Sequence, residues 1–245
     1  TGIAIINVDD VFADLWKKLA AKHQQMTFGL NAVADVSARY QLNSMNSNVE
    51  LITPVGNVDF DLPVPGEHNV RNALAAATAA IALNVPLKQI AKGLSNFAGV
   101  KGRLQPKSGF AGARVIDDTY NANPLSMKAA IDVLAANQGQ RIFVMGDMAE
   151  LGDDAAKMHA EIGAYAKAAN IEGFYALGKL TPAAIKAFGS SAKHFESVEA
   201  LVGVLKKQMN ANVTVLVKGS RSARMERVVD LIQVAKMTEN KEGKH

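Results

Sequence analysis

The feature that most constrains this chain is a change of rhythm near Gly109. Beyond it, short apolar runs recur at Ala113–Ile116, Arg141–Met145, Gly173–Leu177 and Val213–Val217. Helical stretches fall between and after them at Pro124–Ala136, Asp154–Ala169, Val198–Gln208 and Met225–Met237. Apolar runs without alternation are strands buried on both faces. Strand following helix in this way gives a parallel sheet covered on both sides, so this part reads as a Rossmann-like, doubly wound α/β unit.

The first hundred residues read differently. An apolar strand over Ile3–Val8 leads into an amphipathic helix over Asp10–Gln24, with Val11, Leu15, Leu19 and Ala20 on one face and Asp9 or Asp10 as its cap. From Ala32 to Leu62 the pattern alternates, with strands at Val49–Thr53 and Val58–Leu62 and a turn at Val55-Gly56-Asn57, which predicts an antiparallel meander. Helices over Asn69–Leu83 and Leu87–Phe97 follow, the second opened by Pro86. The segment Gly99–Arg103 reads as a hinge. The expected fold class is therefore α/β, with domains at residues 1–103 and 104–245, the first lacking part of its sheet. The chain opens Thr-Gly-Ile-Ala-Ile-Ile-Asn, as if a strand were entered from something earlier, and an N-terminal portion is expected to be missing.

Composition removes several classes of function. There is no cysteine, which excludes disulfides, thiolate zinc sites and cysteine nucleophiles and suits a cytoplasmic protein. The longest apolar run, Ala73–Leu83, is interrupted by Thr78 and is far short of a membrane span. The net charge is +4, with nine basic against eight acidic residues up to Arg103 and 18 against 15 after it. The one basic cluster, Lys218–Arg227, has no interleaved aromatics, so no nucleic-acid partner is expected.

Ligands of open α/β sheets bind beyond the carboxyl ends of the strands. Those ends here carry Asp117-Asp-Thr-Tyr-Asn-Ala-Asn-Pro124, Gly146-Asp-Met-Ala-Glu-Leu-Gly152, Gly178-Lys179 and Lys218-Gly-Ser-Arg-Ser222. One polar loop is no more than a helix cap, a role open to Asp118, Asn123 and Asp153, but several on one edge point to a site. Gly173-Phe-Tyr-Ala-Leu-Gly178-Lys179 matches part of a phosphate-binding loop. Leu180 stands where a hydroxyl should hold magnesium, and the residues between the glycines read as a strand, so it is set aside. No GxGxxG fingerprint is present. In the first domain, Gly66-Glu-His-Asn-Val-Arg-Asn72 leads into a helix; His68 and Asn69 are candidate caps, and Asn72, one turn on, suits either a heteroaromatic base or solvent.

Together, His68-Asn69-Val-Arg-Asn72-Ala-Leu-Ala-Ala76, Gly102-Arg103, Asp117–Pro124, Gly146–Gly152 and Lys218–Arg221 resemble the Mur ligases of peptidoglycan synthesis, in order and along nearly the whole chain. The wording of the last three is similar to the branch that joins D-alanyl-D-alanine to UDP-N-acetylmuramoyl-tripeptide. The resemblance implies an ATP-dependent amide ligase of three domains, of which the sugar-binding domain and the phosphate-loop half of the ATP domain are missing here. Magnesium ligands are expected in that missing part, and no metal site in this one.

Residue by residue, the resemblance implies that Asn72 contacts adenine, that Arg103 reaches the phosphates and is the catalytic residue, and that Asp118 holds the ribose. His68, Tyr120 and Asn121 fall on the nucleotide side. Asp147, Glu150, Lys218, Ser220 and Arg221 fall at the dipeptide end, with Arg221 or Lys218 for its carboxylate and an acidic residue for its ammonium. A hinge salt bridge for Arg103, capping for Asp118 and solvated loop charges for the others stay open. The implied reaction runs through an acyl phosphate that the dipeptide amine attacks, in a cytoplasmic monomer whose isolated 245 residues are inactive. Alternatives are a Mur-type or polyglutamate-type ligase adding another amino acid, or a non-catalytic nucleotide- or dipeptide-binding module.

Overall fold

The computed structural model describes residues 2–44, 46–97 and 99–234. The chain divides into two compact units, the first ending at Gly99 and the second beginning at Val100. Arg103 thus groups with the second unit, four residues from where the sequence placed the boundary.

In the first unit, β1 (Ile3–Asn7), α1 (Ala13–Leu19) and β2 (Gln24–Phe28) form a βαβ unit with the strands parallel. The helix is half its expected length, because Gln24–Phe28 takes extended backbone and pairs with β1. Its apolar face is exposed, with Val11 at 90% and Leu19 at 68%. The two aspartates before it divide the work. Asp10 Oδ1 accepts from Phe12 N at 2.8 Å at the helix start. Asp9 turns away, and its carboxylate accepts the N–H groups of Leu30, Asn31 and Ala32 at 2.7, 3.1 and 2.9 Å. Burial alone would raise the pKa of Asp9; these three amides and the nearby Arg71 charge bring it below the ordinary carboxylate value instead.

The meander is present as β3 (Ser37–Leu42), β4 (Ser47–Thr53) and β5 (Gly56–Leu62), antiparallel in that order. Thr53 pairs with Gly56, so the turn is Pro54-Val55 and sits earlier than the sequence suggested. Two helices, α2 (Glu67–Ala82) and α3 (Leu87–Ser95), follow. Val49, Leu51, Phe60 and Leu62 of the sheet meet Val70, Leu74, Ile81 and Ile90 of the helices in one core.

The second unit is built on a six-stranded sheet. In chain order its elements are β6 (Gln105–Ser108), β7 (Arg114–Asp118), α4 (Pro124–Ala135), β8 (Gln140–Gly146), α5 (Ala155–Ala168) and β9 (Gly173–Leu177). Then come α6 (Pro182–Phe188), β10 (Ala192–Phe195), α7 (Val198–Gln208), β11 (Val213–Lys218) and α8 (Glu226–Ile232). The strands lie in the order β10-β9-β8-β11-β7-β6, all parallel except the antiparallel edge β6. The chain walks outward from β8 to β10 and then returns to insert β11 between β8 and β7.

Right-handed crossovers in opposite directions put their helices on opposite faces, and the two cores show this. Phe143, Met145, Phe174, Ile116 and Leu216 pack with α4, α5 and α6. Their neighbours along the same strands, Ile142, Val144, Tyr175, Val115, Val215 and Val217, pack with α7 and α8. Burying each such side chain stabilises the fold by about 1.5–3 kcal/mol. The last helix is shorter than expected: it stops at Ile232, since Gln233 bridges back to Gly109 and Val234 N donates to Ser108 O at 2.8 Å. The expected extension over 235–237 lies outside the described residues. Among the described residues, no helix is long and apolar enough to cross a membrane.

Candidate active site at the carboxyl ends of the parallel strands

Because β7, β8, β9, β10 and β11 are parallel, their carboxyl ends share one edge, and the polar loops meet there. At the end of β7, the adjacent aspartates take different partners. Asp117 Oδ1 accepts from the Thr119 hydroxyl at 2.7 Å, and Lys107 Nζ lies 3.6 Å from its other oxygen. Asp118 Oδ2 lies 2.7 Å from Lys218 Nζ, at the end of the neighbouring strand β11, and Oδ1 accepts from Leu104 N at 3.1 Å. Lys218 Nζ also donates to Asn121 O at 2.8 Å.

Lys218 is only 3% exposed. Its ammonium is engaged inside the protein, holding β7, β11 and the loop after β7 together, and it does not line the cavity described below. Asp118 is the anchor for that ammonium, and it does not cap α4. The cap is Asn123, whose Oδ1 accepts from Ser126 N at 2.8 Å while Ser126 Oγ accepts from Asn123 N, a reciprocal capping box.

Arg103 is presented at the same end. Tyr120 N donates to Gly102 O at 2.9 Å, and Leu104 N reaches Asp118, so the two segments are tied on both sides of Arg103. Gly102 sits at φ +72°, and a Cβ there would come within 3.0 Å of Tyr120 N, so this close approach calls for glycine. The exposed guanidinium stands 4.5 Å from the centre of the Tyr120 ring, a cation–π arrangement, and among the described residues no carboxylate pairs with it. Asn121 Oδ1 accepts locally from Ala122 N.

The loop after β8 is held at several points. Asp147 Oδ2 accepts from Lys179 N at 3.0 Å and Oδ1 from Leu180 N at 2.9 Å, and its carbonyl accepts from Ser220 N. The Gly178-Lys179 turn is thus a clamp on an aspartate, and Gly173–Leu177 is the strand β9, as expected for a false phosphate loop. Met148 N donates to Nε2 of the fully buried His159. Glu150 then takes left-handed backbone, φ +62°. Sequence reasoning missed His159; the signal was its place on the buried stripe of α5 with Ile162 and Ala166.

Between these loops lies a cavity of about 850 Å³ lined by Tyr120, Asn121, Glu150, Ser220, Arg221 and Arg224, among others. Five of the expected site residues line it together. Ser220 Oγ is 3.0 Å from Ser222 Oγ, and Arg221 pairs with Glu226 at 3.3 Å. Asp147 faces a second cavity of about 700 Å³, with Lys179, His194 and Arg227. Arg103, Asp118 and Lys218 line neither. The remaining expected residues are on α2 of the first unit. Asn72 is exposed and His68 half-buried; Asn69 Nδ2 donates to Pro65 O at 2.7 Å, and no side chain caps the helix, which starts at Glu67 after Gly66. Among the described residues no group of three or more metal-ligating side chains comes together.

Two family models account for most of the chain: the Mur ligase middle domain over residues 1–80, and the Mur ligase, glutamate ligase domain over residues 102–221. The chain belongs to the Mur ligase family. Over 236 residues this Mur ligase chain is 41% identical to UDP-N-acetylmuramoyl-tripeptide--D-alanyl-D-alanine ligase of Escherichia coli strain K12, matching 95% of itself and 52% of that relative. The Haemophilus influenzae ligase of the same name is 39% identical over 93% of the chain and 50% of its own length. Among solved structures, MurF from Acinetobacter baumannii superposes with a TM-score of 0.85 at 37% identity, over 94% of this chain and 51% of that one. The chain spans about half the length of the curated relatives it matches.

Proposed function

We propose that this chain is the nucleotide-closing and amino-substrate part of an ATP-dependent ligase that adds D-alanyl-D-alanine to UDP-N-acetylmuramoyl-tripeptide. The observation that carries the reading is the juxtaposition at the end of β7. An exposed Arg103, with no carboxylate partner among the described residues, rests on Tyr120 beside the fixed Asp118, next to a cavity that holds Glu150, Ser220 and Arg221. It occurs in a chain whose relatives carry that name.

The residues present suit ATP. Arg103 offers a planar, always charged group for phosphate oxygens, and Asp118 keeps spare lone pairs for ribose hydroxyls beside those given to Lys218 and Leu104. Asn72, exposed on α2, suits adenine, with His68 on the same first turns. ATP, with Mg²⁺ held outside these residues, supplies the activation of the tripeptide carboxylate. This chain's part is positioning and charge. Arg103 stabilises negative charge on the transferring group, while Tyr120 and Asn121 wall the nucleotide side of the cavity. Glu150 meets the dipeptide ammonium, and Arg221 with Ser220 its carboxylate. Asp147 acts one step back, by fixing the loop that carries Glu150.

In this reading the unit that ends at Gly99 is the end of an ATP-binding domain and the unit from Val100 onward the amino-substrate domain of a cytoplasmic, monomeric enzyme. The test is a chimera in which this chain replaces the matched part of the Escherichia coli relative. Product should form from UDP-N-acetylmuramoyl-tripeptide, ATP and D-alanyl-D-alanine, and the 245 residues alone should show no turnover. Product with L-glutamate or meso-diaminopimelate in place of the dipeptide would overturn the reading.

A further inference from the structure

We propose that His159 is a positioning residue for the loop that carries Glu150, and that it acts only as the neutral imidazole. What Glu150 meets rests on the ligase reading above; the latch itself does not.

His159 is fully buried on α5. Its Nε2 accepts the Met148 N–H at 3.0 Å, so that nitrogen carries no proton. The proton is on Nδ1, which donates to Ala155 O at 2.7 Å, one turn back on the same helix. The ring is thereby bolted to α5 and offers a single lone pair to the loop. Met148 is itself fully buried, and without that lone pair its N–H would be an orphan donor away from water. Two residues on, Glu150 holds a left-handed conformation that non-glycine residues adopt at a cost of about 1 kcal/mol or more. Such backbone persists only where its surroundings over-determine it.

The same ring has a second choice. Asp147 Oδ1 lies 4.0 Å from Nε2. A protonated ring has no acceptor for Met148 and is drawn to that carboxylate, in competition with the amides of Lys179 and Leu180. The neutral ring is therefore the form that leaves both the Met148 amide and the clamp at Gly178–Leu180, which borders the second cavity, satisfied. Asp147 is the one charged group within ion-pair reach of the ring among the described residues. The other charges on the surrounding elements are Lys157, Glu161 and Lys167 on α5, Asp153 and Asp154 before it, Glu150 on the loop, Lys179 and Lys186 at and on α6, and Asp132 on α4, all exposed, with Lys128 on α4 half-buried.

The experiment compares the 245-residue chain with His159→Gln and His159→Asn by amide hydrogen exchange. A glutamine places its oxygen where Nε2 stands; an asparagine reaches only the Nδ1 position. We expect the Met148 amide to keep its protection in His159→Gln and to exchange about tenfold faster or more in His159→Asn. Equal loss of protection in both variants, or unchanged protection in both, overturns the proposal. In the chimera, His159→Asn should raise KM for D-alanyl-D-alanine by about tenfold, leave KM for ATP unchanged, and be rescued by glutamine. A chimera inactive with the dipeptide would refute the ligase reading while leaving the exchange result to decide the latch.

Discussion

Lys218 and Asp118, 100 residues apart in sequence, form a buried ion pair with 2.7 Å between Nζ and Oδ2. Each stands at the last residue of its strand, and the two strands are neighbours in register, Lys218 opposite Asp118. The pair fixes the floor beneath Arg103 and the loop after β7.

Removing one partner leaves an uncompensated charge indoors. Lys218→Met should therefore lower unfolding free energy by about 3–5 kcal/mol in urea denaturation. Lys218→Met combined with Asp118→Asn should recover much of that loss, since neither charge then remains. If the double variant is no more stable than the single one, the pair is not the dominant interaction at this site.

Arg103 stands over the face of Tyr120. In the chimera, Arg103→Lys keeps the charge but loses the planar stack, and kcat/KM for ATP should drop about tenfold, with Arg103→Ala lower still. Tyr120→Leu should shift the same parameter in the same direction by a smaller factor. Unchanged nucleotide kinetics in Arg103→Ala would remove it from the site.

Gly178 has φ +138°, and a Cβ on it would stand 2.3 Å from Asp147 Oδ1. Gly178→Ala should cost about 2 kcal/mol or more through backbone strain and the displaced carboxylate. Thermal unfolding would report the loss, and the Lys179 and Leu180 amides should exchange faster in the same variant.

Asp9 carries a prediction about acid stability. Its folded pKa lies below the ordinary carboxylate value, so its contribution is complete above about pH 4 and is lost as pH falls through the folded value. Asp9→Asn should destabilise the chain by about 2 kcal/mol at neutral pH. The gap between variant and wild type should close in acid; a gap constant with pH would contradict the assignment.

The strands that sequence patterning located, β7, β8, β9 and β11, are those buried on both faces, where apolar runs have no polar interruption. The two it missed in that sheet are edges. Gln105-Pro-Lys-Ser108 and Ala192-Lys-His-Phe195 are four residues each and mostly polar, as suits strands with one side unpaired. The short α6 begins Thr181-Pro182 and is too brief for a helical period to show. The strand Gln24–Phe28 went unrecognised, and the helix before it was drawn as far as Gln24, because only pairing with β1 marks this segment as extended. The clustering of Tyr120, Asn121, Glu150, Ser220 and Arg221 followed from their place after parallel strands. The fate of Lys218 did not: a lysine ending a buried strand reads as reaching solvent until Asp118 is brought beside it. His159 carried no motif, and its role depends on a backbone amide, which no side-chain pattern records.

The insertion of β11 has a consequence for how this unit comes to exist. β7 and β8 share no ladder of their own; both pair with β11, which is made about a hundred residues after β7. During synthesis β8, β9 and β10 can zip in the order they emerge, but β7 and its edge partner β6 must wait for the final strand. The halves of the sheet close like a door around its last plank, so completion is late and long-range, and the topology favours slow folding. A chain cut just before Val213 would thus forfeit the joint between the halves along with one strand.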